Sequence, residues 1–198
     1  MRFRSSVIGM AGALCVITSA CVGGRPIHYY TINSPAAAPA ARPDGAVLLI
    51  GRITTPEALQ DGRIRYRAGS NEVGAYEYHR WTERPAAMVQ DLLLQALRAS
   101  GKFRQVLEAS SGAFGDYLVR GRLHEFAEVD DSDIQTRVSL RLEMVDRKNG
   151  TLIWEHDYNR DEPVDGKLMK QVVLSMEHNL QQVIGEAAAA IEASAGDQ

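Results

Sequence analysis

The sequence predicts an α/β fold, a mixed and largely antiparallel sheet covered by two main helices. Three observations carry this reading. From Ile134 to Met144 inward-type and polar residues alternate, the period of a half-buried strand. Asn149-Gly150 then gives a hairpin signal before another strand-like run, "TLIWEHDYN". Two stretches, one opening at Pro85 and one near Asp165, repeat apolar residues at helical spacing.

The elements follow in order. "AVLLIGRIT", Ala46–Thr54, reads as a strand buried on both faces at its start. Shorter strands are expected at Arg63–Ala68 and Gly74–Trp81. A helix follows with Pro85 in its first turn, where a missing backbone N–H costs little. Val89, Leu93, Ala96, Leu97 and Ser100 share one face of it, and Gly101 supplies the stop. "FRQVL" is a short strand. Tyr117 to Asn159 forms a three-stranded antiparallel meander, with Asp130-Asp131-Ser132-Asp133 as a solvated hairpin tip. A long helix begins at about Asp165, which can cap it, and Met169, Val172, Val173, Met176, Leu180, Val183, Ile184, Ala187 and Ile191 make its buried stripe.

The first residues carry a different message. Arg2 and Arg4 precede an apolar run, Val7 to Ile17, and Thr18-Ser19-Ala20 lead into Cys21. This is the layout of a secretory signal peptide, with an apolar run too short to remain as a membrane span. Cys21 is either an ordinary exported cysteine or the lipidated first residue of a bacterial lipoprotein. "TSAC" resembles a lipobox with Thr18 where an aliphatic residue is usual, and lipidation is the expectation. The other cysteine, Cys15, follows the bulky Leu14 and is removed with the signal. An exported domain then keeps no disulfide, and lipid occupies the remaining thiol. The division expected is a signal peptide over 1–20, a membrane tether over 21–27, and one domain over 28–198 containing an Ala/Pro loop at 34–45.

Loss of Arg2 and Arg4 takes the formal charge from −3 to −5, and no basic stripe appears, so nucleic acid is not an expected partner. His28, His79, His124, His156 and His178 are scattered, with no zinc-ligand spacing. Asp130–Asp133 lacks the glycine and distal glutamate of a calcium loop. Ser110 and Ser111 lie outside any G-x-S-x-G elbow, and no glycine loop cradles phosphate. No metal and no cofactor are expected beyond a covalent lipid on Cys21. What remains is aromatic: Tyr29 and Tyr30 near the anchor, and Tyr76, Tyr78, His79, Arg80 and Trp81 before the first helix. Two readings are open to these residues: packing, with the alternate members Tyr76, Tyr78 and Arg80 lining one strand face, and an interface role.

"YYTI" close behind a lipidated cysteine, "TTPEAL", "RIRYR", and "HRWTERP" opening a helix with "LLLQAL" resemble the ABC-type transport auxiliary lipoprotein family, which includes the paraquat-inducible lipoprotein C group. Tyr29, Tyr30, Thr31, Arg80, Trp81, Glu83 and Pro85 carry the match. Arg84, inserted between Glu83 and Pro85, and the Ala/Pro loop depart from it. The resemblance implies an α/β sandwich similar to the N-terminal domain of TolB. It also implies a non-enzymatic lipoprotein anchored at the periplasmic face of the outer membrane. There it would serve a mammalian-cell-entry (MCE) protein with an ABC permease and ATPase in lipid transport, docking the conduit and forming a homo-oligomeric ring. Tyr29, Tyr30, Arg80, Trp81 and Pro85 would be the partner-binding or structural motif. Two alternatives stand beside it: an assembly lipoprotein for envelope polymers, and a lipid-anchored periplasmic hydrolase using Ser110, His124 and Asp131.

Overall fold

The computed structural model describes residues 25–33, 44–69 and 71–196. The expected signal peptide (1–20), Cys21 and most of the Ala/Pro loop lie outside these residues. Eight strands form one sheet: β1 (His28–Tyr30), β2 (Val47–Thr54), β3 (Arg63–Ala68), β4 (Glu72–Trp81), β5 (Gln105–Glu108), β6 (Tyr117–Asp130), β7 (Ile134–Asp146) and β8 (Leu152–Pro163). Helix α1 (Pro85–Ala99) follows β4, and α2 (Met169–Gly196) closes the chain.

Strand β6 organises the sheet. One edge pairs in parallel with β2 over Tyr117–Arg122 and then with β3 over Ala127–Asp130. Its other edge pairs with β7 in antiparallel register along almost its whole length, and β7 pairs with β8 in turn. The sheet therefore forks along β6, with β2 and β5 at one end and β3, β4 and β1 at the other. The meander expected to end at Asn159 continues to Pro163, and β6 runs on past Phe126 to Asp130.

Both helices pack against the sheet and against each other. Val138, Leu140, Leu142 and Met144 of β7 are fully buried beneath α2 and join Val89, Leu93 and Leu97 of α1 in one core. The alternate residues face away. There Arg137 pairs with Asp161, Arg141 with Glu155 and Asp157, and Arg120 with Glu143, on a face no helix covers. At its start β2 is buried on both sides because the chain after β5 folds over its outer face. Gly115 lies so close to Leu49 that an added Cβ would stand 2.5 Å from its Cγ.

Helix α1 starts and stops as its sequence demands, with Pro85 at the first helical position and Gly101 in the left-handed region (φ 65°) beyond the last turn. Helix α2 corrects the expectation. It begins at Met169, and Asp165 does not cap it. Gln171 instead reaches back, its Oε1 accepting the Leu168 N–H at 2.9 Å, the reciprocal half of a capping box. The buried stripe also contains two polar residues absent from the apolar pattern. Ser175 Oγ lies 2.8 Å from Thr136 Oγ1, and Asn179 Nδ2 donates to the carbonyls of Thr136 (2.8 Å) and Arg160 (3.1 Å). These bonds fix the height of α2 over β7 and β8, which greasy packing alone leaves free to slide.

Candidate functional site

The N-terminal segment is built into the domain by three kinds of bond. As a strand of three residues, β1 is too short to stand alone and gains its order from β4, with which it runs parallel. His28 is in register with His79, Tyr29 with Arg80, and Tyr30 with Trp81. The Tyr30 carbonyl accepts the Thr82 N–H at 2.8 Å. Beyond β1, Ile32 is buried, the Asn33 N–H donates to Glu177 Oε1 at 3.0 Å, and Gln181 Nε2 donates to the Asn33 carbonyl at 3.1 Å. Residues 28–33 thus run from the sheet edge onto α2. Ahead of β1, the Arg25 guanidinium lies 5.5 Å from the centre of the Tyr78 ring, a cation–π contact.

The register sorts the motif residues into two sets. Trp81 is buried against Phe126, and Tyr30 packs at the margin of the same core. Pro85 is buried at the start of α1. Tyr29, 61% exposed, and its neighbour Arg80 lie on the opposite side of these strands and leave the ring of Tyr29 accessible. Cys21 lies outside the described residues.

An irregularity in β4 brings further groups together. Two steps along β3, from Arg63 to Arg65, correspond to five along β4, from Arg80 to Ala75. Simple alternation of Tyr76, Tyr78 and Arg80 along one face is therefore corrected: the bulge sets Tyr76 edge-on to His79 at 5.8 Å. His28 stacks on His79 at 5.4 Å, and the Tyr30 hydroxyl stands 2.9 Å from His79 Nδ1. Burial, and then the charge of His28, hold His79 below its ordinary value and so favour its neutral form. Tyr76 donates its hydroxyl to Glu128 Oε2 at 2.9 Å. Burial raises Glu128, and burial together with the Glu128 charge raises Tyr76. Glu128 had no sequence signal: it lies 52 residues from Tyr76 and is brought to it by the parallel pairing of β3 with β6.

The hydrolase alternative needs Ser110, His124 and Asp131 in one place. Ser110 Oγ donates to Glu108 Oε2, and Glu108 is level with Val119 across β2. Asp131 follows the far end of β6, roughly 40 Å further along at strand spacing. The fold separates this trio. Among the described residues there is no cluster of metal-ligating side chains and no helix long and apolar enough to cross a membrane.

The architecture is that of a two-layer α/β domain whose N-terminal strand is locked into the edge of its sheet. The chain belongs to the family of ABC-type transport auxiliary lipoprotein components, whose model matches residues 30–188. The family's role is auxiliary to transport. Among solved structures, a Xanthomonas campestris protein of the DUF330 family has a TM-score of 0.76 at 17% identity, covering 86% of this chain and 98% of its own. An uncharacterized protein has a TM-score of 0.68 at 14% identity, covering 84% and 99%. A hypothetical protein from Chlamydia trachomatis has a TM-score of 0.53 at 12% identity, covering 78% and 99%. These likenesses establish the shared fold. No curated protein matches the sequence.

Proposed function

We propose that the chain is the lipid-anchored component of an ABC/MCE-type intermembrane lipid transport system, docking its conduit at the periplasmic face of the outer membrane. In this reading acyl chains on Cys21 hold the domain, and the partners are an MCE-domain protein with its permease and ATPase. Several copies assemble as a ring around the conduit. The observation that carries the reading is the locked N-terminal strand. With β1 starting at His28, only Val22–Ile27 separates the acylated cysteine from the sheet. Six extended residues span about 20 Å, so the domain rides close to the lipid. A component that holds a conduit against a membrane needs so short a tether, and one that diffuses through the periplasm does not. Tyr29, exposed beside the tether, with the half-buried Arg80 next to it, is the side chain offered to the partner.

The test starts with the full chain extracted from membranes. Mass spectrometry is expected to show a diacyl- or triacyl-modified Cys21 at the mature N-terminus, since a single chain anchors only marginally. Fractionation is expected to place it with the outer membrane, and an MCE-domain protein should co-purify. A free Cys21 thiol, inner-membrane fractionation, or loss of the MCE partner would each remove the part of the reading it addresses. Lengthening Val22–Ile27 with a Gly/Ser insert should weaken transport while leaving the fold intact. Full transport with a tether of twice the length would overturn the docking role.

A further inference from the structure

The uncovered face of the sheet holds a charge arrangement that the transport role does not explain. Arg52, Thr54, Arg120, Gly121, Arg122 and Arg141, with Glu143, line one cleft of about 270 Å³. The register sets the arginines there. Arg122 is paired directly with Arg141 on β7 and with Thr54 on β2, so it has no carboxylate beside it in its own row. Like charges directly opposite across strands destabilise a sheet. Arg52 comes from an irregularity in β2: three steps, Ile50 to Ile53, match only two on β6, Val119 to Gly121. Such a bulge re-aims a side chain, and Arg52 is exposed while Gly51 and Ile53 on either side are buried.

The nearby carboxylates are engaged on the other side of the cluster. Glu143 pairs with Arg120, and Glu155 and Asp157 pair with Arg141 from β8. Among the described residues Arg52 and Arg122 take part in no salt bridge. Four guanidiniums thus share a concave site with one carboxylate, and two have no partner. All four cations are arginine, whose planar fork presents paired N–H donors to a tetrahedral oxyanion.

We infer that this cleft binds a phosphate-class oxyanion, a phosphomonoester or phosphodiester group, through Arg52, Arg122 and the free donors of Arg120 and Arg141. A compact ligand is favoured over an extended acidic segment by the next strand. Glu155, Asp157 and Asp161 of β8 project on the same face, so an anionic chain crossing the sheet would meet like charges. A single phosphate group reaches the arginines without passing them. The inference stands apart from the docking role, because it depends on the sheet's outer face and not on Cys21 or the tether.

The test is calorimetric titration of inorganic phosphate and of glycerol 3-phosphate into the detergent-solubilised full chain, at ionic strength matched with chloride. Saturable binding at one site is expected. The double variant Arg52→Gln/Arg122→Gln should weaken it at least tenfold, and Lys148→Gln, outside the cleft, should leave it unchanged. Without ligand, the double variant should melt at the same temperature as the parent or higher, since a like-charge pair is relieved. No saturation in the parent, equal binding by the double variant, or a lower melting point without ligand would overturn the inference. Tighter binding of polyglutamate than of phosphate would overturn it too. Dihexanoylphosphatidylglycerol against glycerophosphoglycerol then separates the sources. At least tenfold tighter binding of the lipid supports a lipid headgroup as ligand, and equal binding supports a soluble phosphate ester.

Discussion

Tyr30 and His79 are joined twice: their strands pair in parallel at the sheet edge, and the Tyr30 hydroxyl stands 2.9 Å from His79 Nδ1. The backbone link holds β1 at the sheet edge, and the side-chain link gives that attachment a titratable group.

Hydrogen exchange reads the backbone link directly. The Thr82 N–H, bonded to the Tyr30 carbonyl, and the Asn33 N–H, bonded to Glu177, are expected to exchange far more slowly than coil amides. Coil-rate exchange at both would show a detached segment and a tether running to the Ala/Pro loop.

The side-chain link predicts a pH dependence. His79 is held below its ordinary value of 6.5, so the unfolded chain takes up the proton first as pH falls. Its contribution to stability is therefore complete above 6.5 and is lost as pH falls through the lower folded value. Glu128 acts in the opposite sense. Its folded value lies above 4.5, so its contribution is fullest below 4.5 and declines as pH rises through the folded value. Urea midpoints measured below pH 6.5 should fall less steeply with falling pH for His79→Gln than for the parent. Glu128→Gln should match or exceed the parent at pH 7, because a buried charge disappears while Tyr76 keeps an acceptor. A parent whose midpoint is flat below pH 6.5, or a Glu128→Gln protein that melts well below the parent, would contradict this assignment.

The two faces of β7 should answer substitution differently. Leu140 is fully buried, and Leu140→Ala is expected to cost roughly 2–5 kcal/mol. Arg141 is exposed, with partners on β8 but Arg122 opposite, and Arg141→Ala should leave the urea midpoint essentially unchanged. Equal losses for both would mean that the outer face is covered in solution.

Asn179 tests the polar seam under α2. Asn179→Ala removes two buried hydrogen bonds, to the carbonyls of Thr136 and Arg160, at a cost of about 0.5–1.5 kcal/mol each. Asn179→Asp should be worse than Asn179→Ala, because a carboxylate in place of the amide would face two carbonyl oxygens. A neutral Asn179→Ala in equilibrium unfolding would remove the positioning role.

What the sequence determined by itself is local. The meander, its Asn149-Gly150 turn, the proline-opened and glycine-closed helix α1, and the inward set on β7 follow from period, turn chemistry and capping, each acting over a few residues. The family resemblance was legible in the same way, as short motifs along the chain. The tertiary structure decided everything that depends on pairing between distant residues. It divided Tyr29 and Arg80 from Tyr30 and Trp81, brought Glu128 to Tyr76, and separated Ser110 from Asp131 along β6. It also set Arg122 opposite Arg141 and bulged Arg52 into the same cleft. The physical reason is register: one or two extra residues in a bulge change which side chains share a face, and nothing local to the bulged strand reports which partner it will meet. The start of α2 moved for a related reason. Asp165 has the chemistry of a cap, but the Gln171 side chain, folding back onto the Leu168 N–H, sets where the helix begins.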